Sequence, residues 1–133
     1  MQRLDMRSAA PFFKRFKKLL VKAHKMRIEI LYFDGCPNRR PAVEELRKVL
    51  REEGVSAEIV EVNVGDASMA RDLKFLGSPS IRVNGLDVEP EMRAARDYGM
   101  MCRTYAVDGR REGLPSREML RKAMYEAQSN HAL

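Results

Sequence analysis

The apolar residues of this chain follow two periods, and each period predicts a different kind of element. Residues 28–33 form a short β-branched and aromatic run, which is typical of a buried strand. After a break at residues 34–37, apolar residues recur at three- and four-residue steps from 42 to 50, with charged residues between them. This spacing predicts an amphipathic helix that starts near Pro37 and ends at Gly54, a residue suited to a C-cap.

The same reasoning extends over the rest of the chain. Residues 57–64 alternate apolar and polar positions and predict a second strand, and residues 69–76 predict a short helix that Asp66 or Ser68 caps. Residues 81–85 predict a third strand. Asn84 and Gly85 form a turn signal that normally indicates a hairpin. The next convincing strand is nevertheless residues 102–107, so residues 86–101 are expected to form a longer excursion.

The chain is expected to close with a helix that Ser116 caps. Its predicted buried face comprises Met119, Leu120, Ala123, Met124 and Ala127. The order strand-helix-strand-helix-strand-strand-helix predicts an α/β domain in which the first two strands are parallel. The chain has 133 residues, which suffices for one domain with its own core.

Charge divides the chain into a basic extension, residues 1–25, and a domain, residues 26–133. The extension holds eight Lys and Arg against Asp5 and carries +7, which leaves −1 on the domain out of the total of +6. It has three interpretations: a basic amphipathic helix for an anionic membrane or partner surface, a mis-assigned start before Met26, or a nucleic-acid arm. No RNA- or DNA-binding motif accompanies the charge, so no specific nucleic acid is expected.

Two cysteines 66 positions apart do not form a disulfide scaffold, and no Cys/His cluster has zinc spacing. No metal site or cofactor is predicted, and no run of 18 apolar residues predicts a membrane span. A reducing cytoplasm fits this composition best. Cys36 falls at the first strand-to-helix junction, where unpaired backbone N–H groups and the helix dipole favour an anionic sulfur. It is therefore a candidate for chemistry, although a small residue in a tight turn would look the same.

The element order and two local features resemble the thioredoxin fold over residues 27–128, and this resemblance implies a central mixed four-stranded sheet. The two features are residues 35–39, where thioredoxins have Cys-x-x-Cys, and Ser78-Pro79-Ser80, where they have a cis-proline. More narrowly, residues 32–38, 75–85 and 98–103 resemble a small bacterial group of thioredoxin-like proteins named for an Asp-Phe or Phe-Asp signature. Some of its members carry selenocysteine at the position of Cys36, and many are labelled alkylmercury lyase-like. The resemblance implies a cis peptide bond before Pro79.

The resemblance also implies a thiol redox protein in which Cys36 and Pro79 form the catalytic pair. The supporting residues would be Asp34, Gly35, Pro37, Asn38, Arg39, Ser78 and Ser80. Arg39 stands where thioredoxins have their second cysteine, so Cys36 would act by monothiol exchange or by peroxide or thiol reduction. The edge near Ser78 and Ser80 would offer backbone hydrogen bonds to a protein or a low-molecular-weight thiol or disulfide.

Cys102 has three interpretations: a buried structural cysteine, a resolving thiol for Cys36, or part of a shared soft-metal site. A strand that begins at Cys102 would start at the end of the sheet far from Cys36, about 15 Å away on the strand rise, which favours the structural role. Whole-protein alternatives are a non-catalytic thioredoxin-like module that binds a partner or a soft metal, and an organomercurial-lyase-like role. The lyase would require two thiolates and an acid such as Asp34 at one centre.

Overall fold

The computed structural model describes residues 25–132, so the basic extension lies outside the described residues except for Lys25. Within residues 25–132 there are three α-helices, six strands and one 3-10 helix. In chain order they are β1 (Met26–Tyr32), α1 (Arg39–Glu53), β2 (Ala57–Asn63), α2 (Ala67–Asp72), β3 (Ser80–Val83), β4 (Leu86–Asp87), the 3-10 helix (Pro90–Met92), β5 (Tyr105–Val107), β6 (Arg110–Glu112) and α3 (Arg117–Ala132). No helix in this range is long and apolar enough to cross a membrane.

The central sheet has four strands in the order β2-β1-β3-β4. β1 and β2 are parallel, and α1 connects them, whereas β3 runs antiparallel to both β1 and β4. The mixed four-stranded sheet that the resemblance implies is thus present. β5 and β6 form a separate two-stranded sheet.

The fourth strand of the sheet differs from the prediction. It is β4, which follows β3 through a two-residue turn and places Val83 opposite Leu86. Asn84 and Gly85 both have positive φ, 50° and 84°, as this type of hairpin turn requires. Residues 102–107 do not enter the main sheet as a strand; only their last three residues form β5, which pairs with β6.

Helix ends follow the expected capping chemistry with some shifts. α1 begins after the N-cap Asn38, later than the predicted start near Pro37, and it ends at Gly54 in the left-handed conformation (φ 63°). α2 is capped by Asp66, whose carboxylate accepts from the Met69 N–H, but it ends at Asp72 rather than continuing to residue 76. Ser116 Oγ accepts from the Met119 N–H at the start of α3, as predicted.

The core lies on both faces of the sheet. Ile28 and Ile30 of β1 point to one face, where they join the main core. The α1 residues of that core are Ala42, Leu46, Val49 and Leu50, and the α3 residues are Leu120, Ala123, Met124 and Ala127. Leu31 follows Ile30 directly in β1, so its side chain points to the other face of the sheet. There it packs in a smaller cluster with Ala70 of α2 and with Phe75. The polypeptide that leaves β1 therefore emerges from a sheet covered on both sides.

Candidate functional site

Cys36 lies in the turn that leaves β1. Its N–H donates to the carbonyl of Phe33 (3.3 Å), and its own carbonyl accepts from the N–H of Arg39 (3.4 Å), the first residue of α1. Gly35 within this turn has a positive φ of 85°. The thiol is free and half-buried. The sequence prediction of a cysteine at the first strand-to-helix junction is thus confirmed.

The start of α1 offers fewer free backbone donors than its position suggests. Arg39 N–H is bonded to the Cys36 carbonyl, and Pro41, the third helical residue, has no N–H. The N-cap Asn38 makes no capping side-chain hydrogen bond. Its amide instead lies against Gly113, where a Cβ atom would come within 2.4 Å of Asn38 Nδ2. Within this first turn, Arg40 retains a backbone N–H without a backbone partner.

An open groove of about 340 Å³ lies over Cys36 and the first turn of α1, lined by Gly35, Cys36, Arg39, Arg40, Val43 and Glu61. Arg39 Nε donates to Glu61 Oε1 (3.0 Å), and its guanidinium lies 3.6 Å from the centroid of the Tyr32 ring. Arg39 therefore ties α1 to β1 and β2. Arg40 is exposed and forms no ion pair with any residue from 25 to 132, so its charge is the one left to face the groove.

Asp34 does not act as a cap for the turn. Its carboxylate accepts from Asn63 Nδ2 at the end of β2 (3.0 Å) and from no backbone N–H of the described residues. The contact joins the ends of β1 and β2 and does not involve the sulfur of Cys36. A smaller cavity of about 100 Å³, between the β3–β4 hairpin and α3, contains neither cysteine.

The peptide bond between Ser78 and Pro79 is cis, the isomer that the resemblance implies. Ser78 and Ser80 are both buried, and Ser80 Oγ donates to the Gly77 carbonyl (2.6 Å). The expected open edge at Ser78 is absent, because its backbone is already bonded. Ser78 N–H donates to the Met101 carbonyl (2.8 Å), and the Ser78 carbonyl accepts from Arg103 N–H (2.9 Å).

Cys102 is exposed and free, so the prediction of a buried structural cysteine is wrong. The predicted location at the far end of the sheet is also wrong. Cys102 forms an isolated parallel bridge with Ser78, whose Oγ accepts from the N–H of Phe33 (3.2 Å), just after β1. The excursion between β4 and β5 has returned the chain to the end of the sheet from which Cys36 emerges.

A buried ionic cluster follows Cys102. The Arg103 guanidinium forms two hydrogen bonds of 2.8 Å to the Asp87 carboxylate and reaches Glu89 at 3.3 Å, and all three side chains are at least 94% buried. Burial lowers the pKa of Arg103, but hydrogen bonding to Asp87, together with the surrounding charges, outweighs burial and raises the pKa above its ordinary value. Arg103 therefore remains charged, as a buried partner of two carboxylates must.

The cluster connects directly to the Pro79 segment. Arg103 lies 4.2 Å from the centroid of the Tyr105 ring, and the Tyr105 hydroxyl donates to the Pro79 carbonyl (2.6 Å). Burial raises the pKa of Tyr105, so this hydroxyl stays a donor. Sequence analysis missed this set, because buried arginines and acids carry no periodic signal and are usually exposed.

No group of three or more His, Cys, Asp or Glu side chains within the described part of the chain is arranged to hold a metal ion. The structure brings Gly35, Cys36 and Arg39 together in one groove, with Asn38 at its helix N-cap. Ser78 contacts Phe33, just after the strand that leads into this groove, and Cys102 lies beyond Ser78. Asp34 is turned toward Asn63.

Comparisons with known proteins place the chain in a family. No curated protein matches the sequence. A family profile described as "Domain of unknown function (DUF2703)" matches residues 38–124, which include the Ser78–Pro79 segment and Cys102 and begin two residues after Cys36. Because this match covers more than half of the 133 residues, the chain belongs to the DUF2703 family.

Proposed function

We propose that this protein is a thiol–disulfide exchange protein with a thioredoxin-like fold, in which Cys36 is the attacking thiol. The observation that carries the proposal is the half-buried free thiol of Cys36 in a groove at the junction of β1 and α1. The groove gives a disulfide access to Cys36, which is neither fully buried nor fully exposed. Such an arrangement suits a nucleophile better than a structural cysteine, which is usually buried on all sides.

The topology supports the thioredoxin-like assignment. A parallel β1-α1-β2 unit is followed, after α2, by an antiparallel β3–β4 pair and a C-terminal helix that packs beside α1. The reactive thiol of that fold belongs at the end of the first strand, and Cys36 occupies this place. Arg39, where a second cysteine would stand, is bound to Glu61 and Tyr32 and takes no part in electron transfer.

The reaction begins when the Cys36 thiolate attacks one sulfur of a disulfide. The sulfur–sulfur bond of the substrate breaks, one half leaves as a thiolate, and the other half remains on Cys36 as a mixed disulfide. A second thiol then attacks the Cys36 sulfur and releases it. Arg40 provides positive charge at the groove, which favours substrates that carry a carboxylate or another anionic group.

A small disulfide fits this site better than an extended peptide. An extended substrate would pair with the backbone at Ser78, but Met101 and Arg103 already occupy those hydrogen-bonding groups. The groove of about 340 Å³ lies on the other side of the Cys36 turn and is large enough for a low-molecular-weight disulfide. A reducing compartment such as the cytoplasm would keep both thiols free between turnovers.

The proposal is tested in the Cys102→Ser background, where Cys36 is the sole thiol. We expect a small anionic disulfide to form a mixed disulfide at Cys36, about tenfold or more faster than it reacts with N-acetylcysteine at the same pH. The Cys36→Ser/Cys102→Ser double variant is the matched control and should form no adduct. A Cys36 rate equal to or below that of N-acetylcysteine would overturn the proposed exchange role of Cys36.

A further inference from the structure

Ser78 is contacted from both sides by the segments that carry the two cysteines. On one side its Oγ accepts from the N–H of Phe33 (3.2 Å), and the Phe33 carbonyl accepts from the N–H of Cys36 (3.3 Å). On the other side its backbone N–H and carbonyl are bonded to Met101 and Arg103. Cys102, between those two residues, forms the bridge with Ser78. One buried serine thus separates the Cys36 turn from the Cys102 segment.

The Cys102 segment occupies the backbone groups that an added strand would use. Its approach is close, since a Cβ atom on Gly77 would lie 2.9 Å from the Met101 carbonyl oxygen and 3.1 Å from Arg103 N. Arg103 anchors the segment through its buried hydrogen bonds to Asp87 and Glu89. The segment therefore lies beside Ser78, in the place that an added strand would take, and it carries a cysteine there.

The Cys102 side chain is accessible, although the residues on either side of it are hydrogen-bonded to the backbone of Ser78. Cys102 is exposed, and its neighbours Met100 and Met101 are 41% and 40% exposed, which is high for apolar side chains. A structural cysteine would be expected among core side chains. Exposure of the side chain is what a thiol needs if it must reach another sulfur.

We propose that Cys102 is the resolving thiol of Cys36 and that the two form an intramolecular disulfide during turnover. This rests on the proposed function of Cys36. After a disulfide substrate has left one half on Cys36, the Cys102 thiolate attacks the Cys36 sulfur. The Cys36–Cys102 bond forms, the mixed disulfide breaks, and the second half of the substrate leaves as a thiolate. An external dithiol then reduces the protein disulfide and is itself oxidised to a disulfide.

Closure requires a limited movement of backbone. Neighbouring strands lie about 5 Å apart, so Cys102 is about two strand spacings, roughly 10 Å, from the strand that leads to Cys36. A disulfide needs Cα atoms within about 7 Å of each other. Both cysteines lie outside the helices and named strands, in residues 33–38 and 99–104, so closure requires these two segments to shift toward each other past Ser78.

The test uses the full chain with one equivalent of dithiobis(nitrobenzoate), an anionic aromatic disulfide whose released thiolate is yellow. We expect the wild-type protein to release both thiolates of the reagent, to retain no adduct and to lose the mass of two hydrogens. The second release should be first order and independent of protein concentration. Cys102→Ser should release only the first thiolate and keep the other half of the reagent on Cys36. Because Cys102 is exposed, this substitution should leave the fold intact.

Three other outcomes are distinguishable, and each would overturn a different claim. A wild-type protein that keeps the adduct on Cys36, as Cys102→Ser does, overturns the resolving role and leaves the proposed function standing. A disulfide-linked dimer in non-reducing mass spectrometry overturns the intramolecular bond. Absence of any adduct on Cys36 in Cys102→Ser overturns the proposed function itself. Cys36→Ser is the matched control, and it should retain its adduct on Cys102 with no second release.

Discussion

At the scale of single residues, the Arg103 cluster is the least expected feature of the chain. One guanidinium is buried with two carboxylates, Asp87 and Glu89, and its Nε also donates to the Thr104 carbonyl (3.3 Å). Glu89 in turn accepts from the N–H of Ala106 (2.9 Å). No buried side-chain nitrogen or oxygen of the described residues lacks a hydrogen-bond partner. The cluster therefore joins β4, the start of β5 and the Cys102 segment in one satisfied network.

Replacing Arg103 by Met should destabilise the protein strongly. It leaves Asp87 and Glu89 buried without their cation, and breaking such a group typically costs about 3–5 kcal/mol. Arg103→Lys keeps the charge but loses the planar fork, so its cost should be intermediate. The measurement is the free energy of unfolding in urea at neutral pH.

The matched control for the Arg103 variants is Lys122→Met, which removes the exposed pair with Glu118, whose side chains are 76% and 72% exposed. This variant should unfold like the wild type, because exposed pairs contribute little. A cost within about 1 kcal/mol for Arg103→Met would show that the buried cluster contributes no more than a surface pair.

At the scale of elements, residues 101–103 are hydrogen-bonded to Ser78 and lie close against Gly77. Gly77 has φ 110°, and a side chain there would meet the Met101 carbonyl at 2.9 Å. Gly54, the C-cap of α1, has φ 63°, and a Cβ atom added to it would have no other atom within 4 Å. A side chain at Gly54 would therefore cause backbone strain alone, whereas a side chain at Gly77 would cause both backbone strain and a steric clash.

Gly77→Ala should be more destabilising than Gly54→Ala. The positive φ alone costs about 1–2 kcal/mol for an L-residue, and Gly77 adds the contact with backbone. Hydrogen exchange shows where the structure is perturbed. The N–H groups of Ser78 and Arg103 should lose protection in Gly77→Ala and keep it in Gly54→Ala. Gly65→Ala, with open space and no positive φ, should change neither quantity. If Gly77→Ala and Gly54→Ala lower the free energy of unfolding equally, residues 101–103 accommodate the added methyl group at no cost in stability.

Sequence patterns predict the elements that are long and carry end signals. β1, α1 and β2 each extend over at least seven residues with a clear period, and Gly54, Asp66 and Ser116 mark helix ends. β4 has two residues, too few to establish a period, so the pattern favours residues 102–107 as the fourth strand despite the turn signal at Asn84 and Gly85. That preference also misplaces Cys102.

The candidate site is predictable only where it is local in sequence. Cys36 between a strand and a helix is visible in a single stretch of residues. The bridge between Ser78 and Cys102 joins positions far apart in sequence through two backbone hydrogen bonds, and hydrogen bonds of the backbone are independent of side-chain type. The occupied edge at Ser78 and the position of Cys102 beside it follow from that bridge, so neither has a sequence pattern.

At the scale of the whole molecule, the described core and the basic extension are separate in sequence. Every buried core residue of the described range lies between Met26 and Ala127. The positive charge lies elsewhere, since residues 1–25 carry +7 and the remaining 108 residues carry −1. The groove at Cys36 belongs to the nearly neutral part. Exchange chemistry and attraction to anionic surfaces should therefore be separable by truncation.

Deleting residues 1–25, so that the chain begins at Met26, should leave a folded, monodisperse protein that still reacts at Cys36. Its thermal midpoint should move by only a few degrees, because about 1 kcal/mol corresponds to roughly 4–8 °C in a domain of this size. The net charge falls from +6 to −1, so binding to vesicles that contain anionic lipid should disappear. Calorimetry and vesicle co-sedimentation measure the two effects, and the full chain at high salt is the control, since screening should also abolish its binding.

Aggregation or a lost cooperative transition would mean that Phe12, Phe13, Phe16, Leu19 and Leu20 contribute to the core, and retained vesicle affinity would assign the binding to residues 26–133.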